Sequence, residues 1–299
     1  MKKKFLTLIT LCAMLTSCET VEQNANPKFI AHNGTPLIAL SNYAINHKDN
    51  LKIAAGAQEL IAEFVAEEVD MIAAPINLGA MRYNAKPTYG LYKTLVWDNI
   101  YILSREEITS IEDLEGKSIT SFGRGSTPQI VLETILNTKS VTCDISYVDN
   151  VQIANSMFTS NESDIVISAQ PQVSAIDTST AHVLPLNTFW KDATGLDTYP
   201  QAGLFVKISE LSRLKDALKE VDDGYNAIAT DISKTAENAE SVTGTFKKAL
   251  LEKSISKCGF KTVNNEIDLV KADYNAMINL GMSAQVGGKL PDEGFFLNK

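Results

Sequence analysis

The sequence is poor in histidine and cysteine. Three histidines and four cysteines occur among 299 residues, and the histidines fit no serine–histidine–carboxylate order and no metal-ligand spacing. Only Cys143 and Cys258 lie beyond the N-terminal region. Their spacing favours two separate buried thiols, although the sequence leaves a disulfide between them open. We therefore expect no catalytic residue, no metal and no cofactor.

The apolar run at the N-terminus is too short to span a bilayer. It covers Phe5–Leu15, follows a basic stretch of three lysines, and ends in "LTSC" at Cys18. This pattern resembles the lipobox of bacterial lipoproteins, which implies that Cys18 becomes a lipidated N-terminus carrying a thioether-linked diacylglycerol. A plain secretory signal and a buried N-terminal helix are the alternatives. The sequence predicts a signal peptide at 1–17 and localisation at the cell membrane, lipid-anchored on its extracytoplasmic face.

Positive charge is also scarce. Removal of residues 1–17 removes three lysines and leaves 24 basic against 36 acidic residues, a net charge of −12. Such a chain repels nucleic acid, so we expect no nucleic-acid partner. Residues 18–27 are polar and without periodicity, which predicts a flexible tether.

One pattern occurs twice along the chain. "HNGTPLIAL", from His32, and "GRGSTPQI", from Gly123, both place a threonine and a proline between a strand-like and a helix-like segment. Proline suits the first turn of a helix, and a hydroxyl residue can cap it. Each copy continues through strand, helix and a strand that opens with Asp and closes on Ala and Pro, "DMIAAP" and "DIVISAQP".

Two similar halves of alternating strands and helices predict two α/β lobes. Right-handed crossovers place each helix start at the carboxyl edge of its sheet, where open α/β sheets bind ligands. The two helix starts should therefore face one cleft. "KTLVWDNIYILS" and "YPQAGLFVK" suit strands that cross between the lobes. Three helices are predicted after the second crossing, in 209–228, 242–255 and 267–280.

The ordered set of segments resembles a known family. The lipobox, "NGTP", "DMIAAPINLGA", "WDNIYILS", "IEDLEGKSITSFGRGSTPQI", "TGLDTYPQAGLFV" and "GKLPDEGFF" are similar to those of solute-binding lipoproteins of ABC importers. Within these the chain resembles the type II periplasmic-binding fold and its nitrate, sulfonate and thiamine-precursor branch. The resemblance covers 27–299, and its most recognisable element is Asp113, Leu114, Gly116 and Lys117.

The resemblance implies a monomeric receptor that closes on a small-molecule ligand and docks to ABC permease subunits with their ATPase. Lobe 1 is expected at 28–102 plus 200–299 and lobe 2 at 103–199. An enzyme on the same fold, like menaquinone-pathway dehydratases or pyrimidine-precursor synthases, is one alternative. A sensor or adhesion lipoprotein without a transporter is another.

Ligand-binding candidates are the residues at the predicted cleft edge and crossings. They are Asn33, Gly34, Thr35, Ala74, Asn77, Trp97, Arg124, Gly125, Ser126, Thr127, Gln170 and Tyr199. Arg124 could pair with a ligand anion, or it could be solvated or dock a partner. Thr35 could touch the ligand or merely cap its helix. Trp97 and Tyr199 could floor a pocket or pack at the hinge. Helix N-termini can bind anions, but a small anion, a neutral heteroaromatic and a zwitterion all remain open as ligands.

Overall fold

The computed structural model describes residues 26–297, so the predicted signal peptide, Cys18 and most of the predicted tether lie outside the described residues. Two mixed β-sheets of five strands each, with helices packed on them, form two lobes. The order is β2-β1-β3-β10-β4 in the first sheet and β7-β6-β8-β5-β9 in the second. Within the described part of the chain the strands are β1 (Phe29–His32), β2 (Leu51–Ala54), β3 (Met71–Pro75), β4 (Tyr89–Trp97), β5 (Ile100–Ser104), β6 (Ser118–Phe122), β7 (Asp144–Val148), β8 (Ile165–Ala169), β9 (His182–Pro185) and β10 (Pro200–Lys207).

Helices cover both faces of the sheets. Over residues 26–297 they are α1 (Thr35–Ala39), α2 (Ser41–Ala44), α3 (Ala57–Ala66), α4 (Ile76–Ala85), α5 (Thr127–Lys139), α6 (Val151–Thr159), α7 (Leu186–Thr194), α8 (Lys215–Thr230), α9 (Ile232–Thr243), α10 (Lys248–Ser254) and α11 (Glu266–Asn279). None of these helices combines the length and the hydropathy needed to cross a bilayer.

The repeated sequence pattern corresponds to equivalent positions in the two sheets. β1 pairs in parallel with β2 and β3, as β6 does with β7 and β8. The fourth strand of each sheet is antiparallel to the third: β10 pairs with β3, and β5 pairs with β8. The structure thus confirms the predicted two-lobed α/β fold.

Alternation along the strands fills a core on each side of each sheet, because successive side chains point to opposite faces. In β1, Phe29 packs in one core of the first lobe with helices α8 to α10, while Ile30 packs in the other with α3 and α11. In β5, Ile102 and Leu103 likewise pack in two separate cores of the second lobe. Strands buried on both faces read as apolar runs, which is why they were recognisable in the sequence.

The helical region after β10 differs from the sequence prediction. Four helices lie there, α8 to α11, and the predicted helix over 242–255 is wrong. Gly244, with φ of 68°, ends α9, and a new helix starts only at Lys248. Glycine adopts this left-handed conformation without the steric penalty of a side chain, so it stops the helix.

The two cysteines of the described chain are both free thiols. Cys258 is buried, and burial raises the pKa of its thiol. Cys143 is only half-buried, which corrects the expectation that both would be buried.

Candidate ligand-binding cleft

A cleft of about 340 Å³ lies between the carboxyl ends of the parallel strands of both sheets. The first lobe contributes residues 32–36, 55–57 and Pro75, and the second contributes 122–123, 126–128 and 149–152. The volume falls at the small end of the range of roughly 300–1,000 Å³ typical of ligand pockets. Turns after β1, β2, β3, β6 and β7 therefore converge on one space that fits a small molecule.

Half of the sequence candidates line this cleft. They are Asn33, Gly34, Thr35, Ser126, Thr127 and Gln170. The structure also brings Gln201 and Ala202, near the start of β10, into the lining.

The two repeated threonines tie the lobes together. The Thr35 hydroxyl donates to the Gln170 carbonyl across the cleft at 3.0 Å, and the Thr127 hydroxyl donates to the Gln201 carbonyl at 3.0 Å. Each threonine is at most 6% exposed, and neither caps its own helix: the N-cap residues are Gly34 and Ser126, which make no side-chain capping bond. The threonine at each helix start thus hydrogen-bonds to the backbone of the other lobe, so both copies of the repeated motif have the same structural role.

We expect Thr35→Val and Thr127→Val each to lower the ratio of closed to open molecules about fivefold, because each removes one net hydrogen bond of about 1 kcal/mol. The double variant should lose roughly 25-fold if the sites are independent. A distance-sensitive dye pair with one dye on each lobe measures the populations. Thr230→Val is the matched control, since its hydroxyl bonds only within α8. An unchanged ratio in both single variants would show that the hydroxyls do not hold the lobes together.

Asn77 does not line the cleft. Its side-chain nitrogen donates to the Gly125 carbonyl of the other lobe at 3.2 Å and to the Gln285 carbonyl at 3.3 Å. Ala74 is fully buried in the core beneath it. Asn77 and Gly125 therefore form a further contact between the lobes, outside the cleft lining.

Arg124 does not line the cleft. It is exposed, and its guanidinium lies over the ring of Tyr147 at 5.4 Å from the centroid. Arginine stacks readily on an aromatic face, and the loop between Gly123 and Gly125 allows that orientation.

Trp97 and Tyr199 are both fully buried. Trp97 packs in the core of the first lobe, and Tyr199 packs edge-on against Trp190 at 5.4 Å between ring centroids. Neither lines the cleft, because the crossing strands run directly into the two cores, where large aromatic side chains bury the most surface. The aromatic residue in the lining is Phe122, at the end of β6. Its position at the end of a strand, directly before Gly123, is the sequence signal that could have identified it as a cleft residue.

Asp98 and Asn99, between β4 and β5, were also missed. Asp98 has φ of 48°, and its carboxylate accepts from the Thr198 hydroxyl, from the Tyr199 backbone N–H at 2.9 Å and from the Lys261 ammonium at 2.6 Å. A carboxylate that accepts three donors can hold a left-handed backbone that costs energy by itself. Asp98 thereby joins the two crossing segments of the chain.

Asn99 also connects segments from the two lobes, at the place where they meet. Its amide nitrogen donates to the Thr35 hydroxyl at 2.7 Å and to the Gln170 carbonyl at 3.1 Å, and its oxygen accepts from the Gln170 N–H at 3.0 Å. Asn99 is fully buried, so these bonds satisfy a polar group that would otherwise be costly. The two residues after Trp97 fix the geometry where the lobes meet.

The cleft has little formal charge. Burial lowers the pKa of His32, so its imidazole is neutral near pH 7. Asp149, an exposed residue, is the single carboxylate in the lining. Over residues 26–297, no group of three or more histidine, cysteine or acidic side chains is placed to hold a metal ion.

Residues 91–231 match the family model described as NMT1/THI5 like. The chain contains an NMT1/THI5-like domain. That domain includes β5 to β9, both crossing segments and the second half of the cleft. Its position agrees with the resemblance predicted from the sequence.

Solved structures of ABC-transporter and sulfonate-binding proteins share the fold of this chain. An ABC transporter structure from Parabacteroides distasonis is 18% identical with a TM-score of 0.73, covering 91% of this chain and 99% of that one. The periplasmic aliphatic sulphonate binding protein SsuA from Escherichia coli is 12% identical with a TM-score of 0.66, covering 89% and 92%. The alkanesulfonate-binding protein SsuA from Xanthomonas axonopodis pv. citri, bound to MOPS, is 13% identical with a TM-score of 0.63, covering 89% and 94%. No curated protein matches the sequence. At these identities the likeness establishes the periplasmic-binding-protein fold.

Proposed function

We propose that the protein is an extracytoplasmic solute-binding lipoprotein of an ABC importer. The observation that carries this proposal is the cleft itself: it is lined about equally by both lobes and bridged by a threonine from each. A solute in that position contacts both lobes at once and so favours their approach. The fold shared with sulfonate-binding and other ABC-transporter proteins supports the same function.

Capture occurs by lobe closure about the two crossing segments. We assign lobe 1 to 28–99 plus 200–299 and lobe 2 to 100–199, with the hinge at Asp98–Asn99 and Thr198–Tyr199. The boundary moves from the predicted 102 to 99 because β5, which starts at Ile100, belongs to the second sheet. Hinge motions of this kind need only a few residues whose backbone angles change. Closure of a monomer on its small-molecule ligand then presents one shape to permease subunits and their ATPase.

A thermal-shift screen of the full-length chain in mild detergent tests capture. A solute that binds only the folded protein raises its melting temperature by mass action, by an amount that grows with concentration. Recovery of the solute unchanged separates a receptor from an enzyme on the same fold, and chemical conversion would support the enzyme instead. Small-angle scattering should show a smaller radius of gyration with the bound solute. A bound solute that leaves the radius unchanged would contradict capture by closure.

Anchoring through Cys18 is the second part of the proposal. Two or more acyl chains give stable membrane attachment, whereas a single chain gives only marginal attachment. Cys18→Ser is expected to move nearly all of the protein from the membrane fraction to the soluble fraction, measured by immunoblot after ultracentrifugation. Cys12→Ser is the matched control, since Cys12 lies within the apolar run that precedes the predicted cleavage site. Continued membrane retention of the Cys18 variant would exclude lipid anchoring at this residue.

A further inference from the structure

We propose that the cleft takes a small uncharged solute bearing amide-like donors and acceptors, bound by side-chain carboxamides, and that it discriminates against sulfonates and carboxylates. This inference rests on the solute-binding function proposed above and names the chemical class of the solute.

Carboxamides dominate the polar lining. Six residues with carboxamide side chains line the cleft: Asn33, Asn150, Gln152, Gln170, Gln172 and Gln201. Three of them also bond within the protein: Asn33 donates to the Thr243 carbonyl, Asn150 accepts from the Ile153 N–H, and Gln170 accepts from the Ser174 hydroxyl. A carboxamide offers both N–H donors and a carbonyl acceptor, whereas a sulfonate or carboxylate offers only acceptors. The wall is therefore complementary to a ligand that carries donors and acceptors together.

No lysine or arginine lies in the lining formed by the described residues. Arg124, the residue that the sequence offered for an anion, is stacked on Tyr147 outside it. His32 is neutral because burial lowers its pKa, and Asp149 adds negative charge. An anionic ligand would leave water for a cleft that supplies no countercharge, which disfavours its binding.

Backbone N–H groups next to the helix starts around the cleft bond to the protein's own oxygens. The Glu59 carboxylate accepts from the Ala55 N–H at 3.1 Å near the start of α3. Gln129 accepts from the Gly125 N–H at 2.6 Å before α5.

The same holds at α6, where Asn150 accepts from the Ile153 N–H at 3.0 Å. In α1 and α5, Pro36 and Pro128 occupy the first turn and supply no N–H. The donors that would bind an anion at a helix N-terminus are thus partly used up or missing.

Gln201 supplies the specific indication. Its side-chain oxygen is buried without a hydrogen-bond partner, while the residue is half-buried and lines the cleft, so a rotation of the side chain brings the carboxamide to a solute. A buried acceptor without a donor is destabilising, and a bond from a ligand N–H or O–H to this carboxamide would remove that penalty. A sulfonate or carboxylate group has no such donor. The apolar remainder of the wall, which includes Leu60, Phe122 and Val151, suits a flat hydrocarbon or heteroaromatic face.

Pairs of compounds that differ in one charged group test this class. Nicotinamide with nicotinate, and benzenesulfonamide with benzenesulfonate, are titrated into the full-length chain in detergent by calorimetry. We expect at least one uncharged member to bind, and to bind at least tenfold more tightly than its anion. Gln201→Leu should weaken that binding about fivefold or more, while Arg124→Ala, off the cleft, should leave it unchanged.

The outcomes separate the two proposals. Tighter binding of nicotinate or benzenesulfonate, or loss of binding in Arg124→Ala, would overturn the uncharged class while solute capture stands. Binding of the uncharged member that is insensitive to Gln201→Leu would overturn the assignment of the ligand to this wall. Absence of binding throughout both pairs, and of any thermal shift in the wider screen, would overturn solute capture and the ligand class with it.

Discussion

Gly259→Ala is expected to destabilise the protein by about 4 kcal/mol or more, in the exceptional range for a single substitution. Gly259 has φ of +76°, and a Cβ built there would lie 1.6 Å from the Trp97 carbonyl oxygen. Neither partner can move freely, because the Gly259 carbonyl also accepts from the Trp97 N–H at 3.0 Å. The backbone segment would have to separate from the end of β4.

Gly244→Ala is the matched control for this prediction. Gly244 has φ of +68°, but a Cβ there meets nothing within 4 Å, so only the backbone strain of about 1–2 kcal/mol remains. Urea denaturation of the two variants measures the difference. Equal costs for both would show that the approach to Trp97 does not constrain the fold.

The position of Gly259 connects this stability effect to function. On either side of it, the Lys257 carbonyl accepts from the Tyr101 hydroxyl at 3.1 Å, and the Lys261 ammonium pairs with Asp98 at 2.6 Å. The segment 257–261 therefore stabilises the first crossing through contacts with Asp98 and Tyr101. We expect its loosening in Gly259→Ala to widen the distribution of lobe distances as well as to lower stability.

Asp273→Asn is expected to stabilise the protein at alkaline pH. Asp273, in α11, is 1% exposed, and neither carboxylate oxygen has a hydrogen-bond partner. Burial holds the pKa of this carboxyl well above its usual range. Because the folded-state pKa is raised, the unfolded chain loses this proton first as pH rises.

The direction of the pH dependence follows from that difference. Above the unfolded pKa of about 3.9, the wild-type protein loses about 1.4 kcal/mol of stability per pH unit until the folded-state pKa is reached. Asp273→Asn removes this loss, so its advantage should be largest at pH 8 and smallest near pH 4. Urea unfolding at both pH values measures it. Asp268→Asn, an exposed position on the same helix, controls for the loss of one negative charge. A constant difference between Asp273→Asn and wild type at both pH values would contradict the raised pKa.

Much of the fold could be predicted because the repeated pattern depends on local signals. Proline at Pro36 and Pro128 marks two helix starts, and apolar runs mark strands buried on both faces. The failure at 242–255 was also local: apolar residues continue at helical spacing through Gly244, but the glycine's left-handed backbone ends the helix.

The cleft was harder to predict than the fold. Turns such as 33–35 and 126–127 were identified because strand order places them at the carboxyl edge of a sheet. Trp97 and Tyr199 were candidates for the pocket floor because they lie near the crossings. Both are buried in the cores instead, since a shift of a few residues along a strand moves a side chain from the cleft wall into a core. The sequence also contains no signal that Gln201 and Gln172 line one space with Asn33, since the three residues are far apart along the chain.

By itself, the sequence determined the two-lobed α/β architecture, the repeated helix starts and the N-terminal lipobox pattern, because each depends on residues close together along the chain. Only the tertiary structure decided that Thr35 and Thr127 bond across the cleft, that Arg124 stacks on Tyr147, and that Asp98 joins both crossings. Those contacts join residues brought together by packing, and whether a side chain faces a solute or a core depends on rotations that the spacing of residues does not fix.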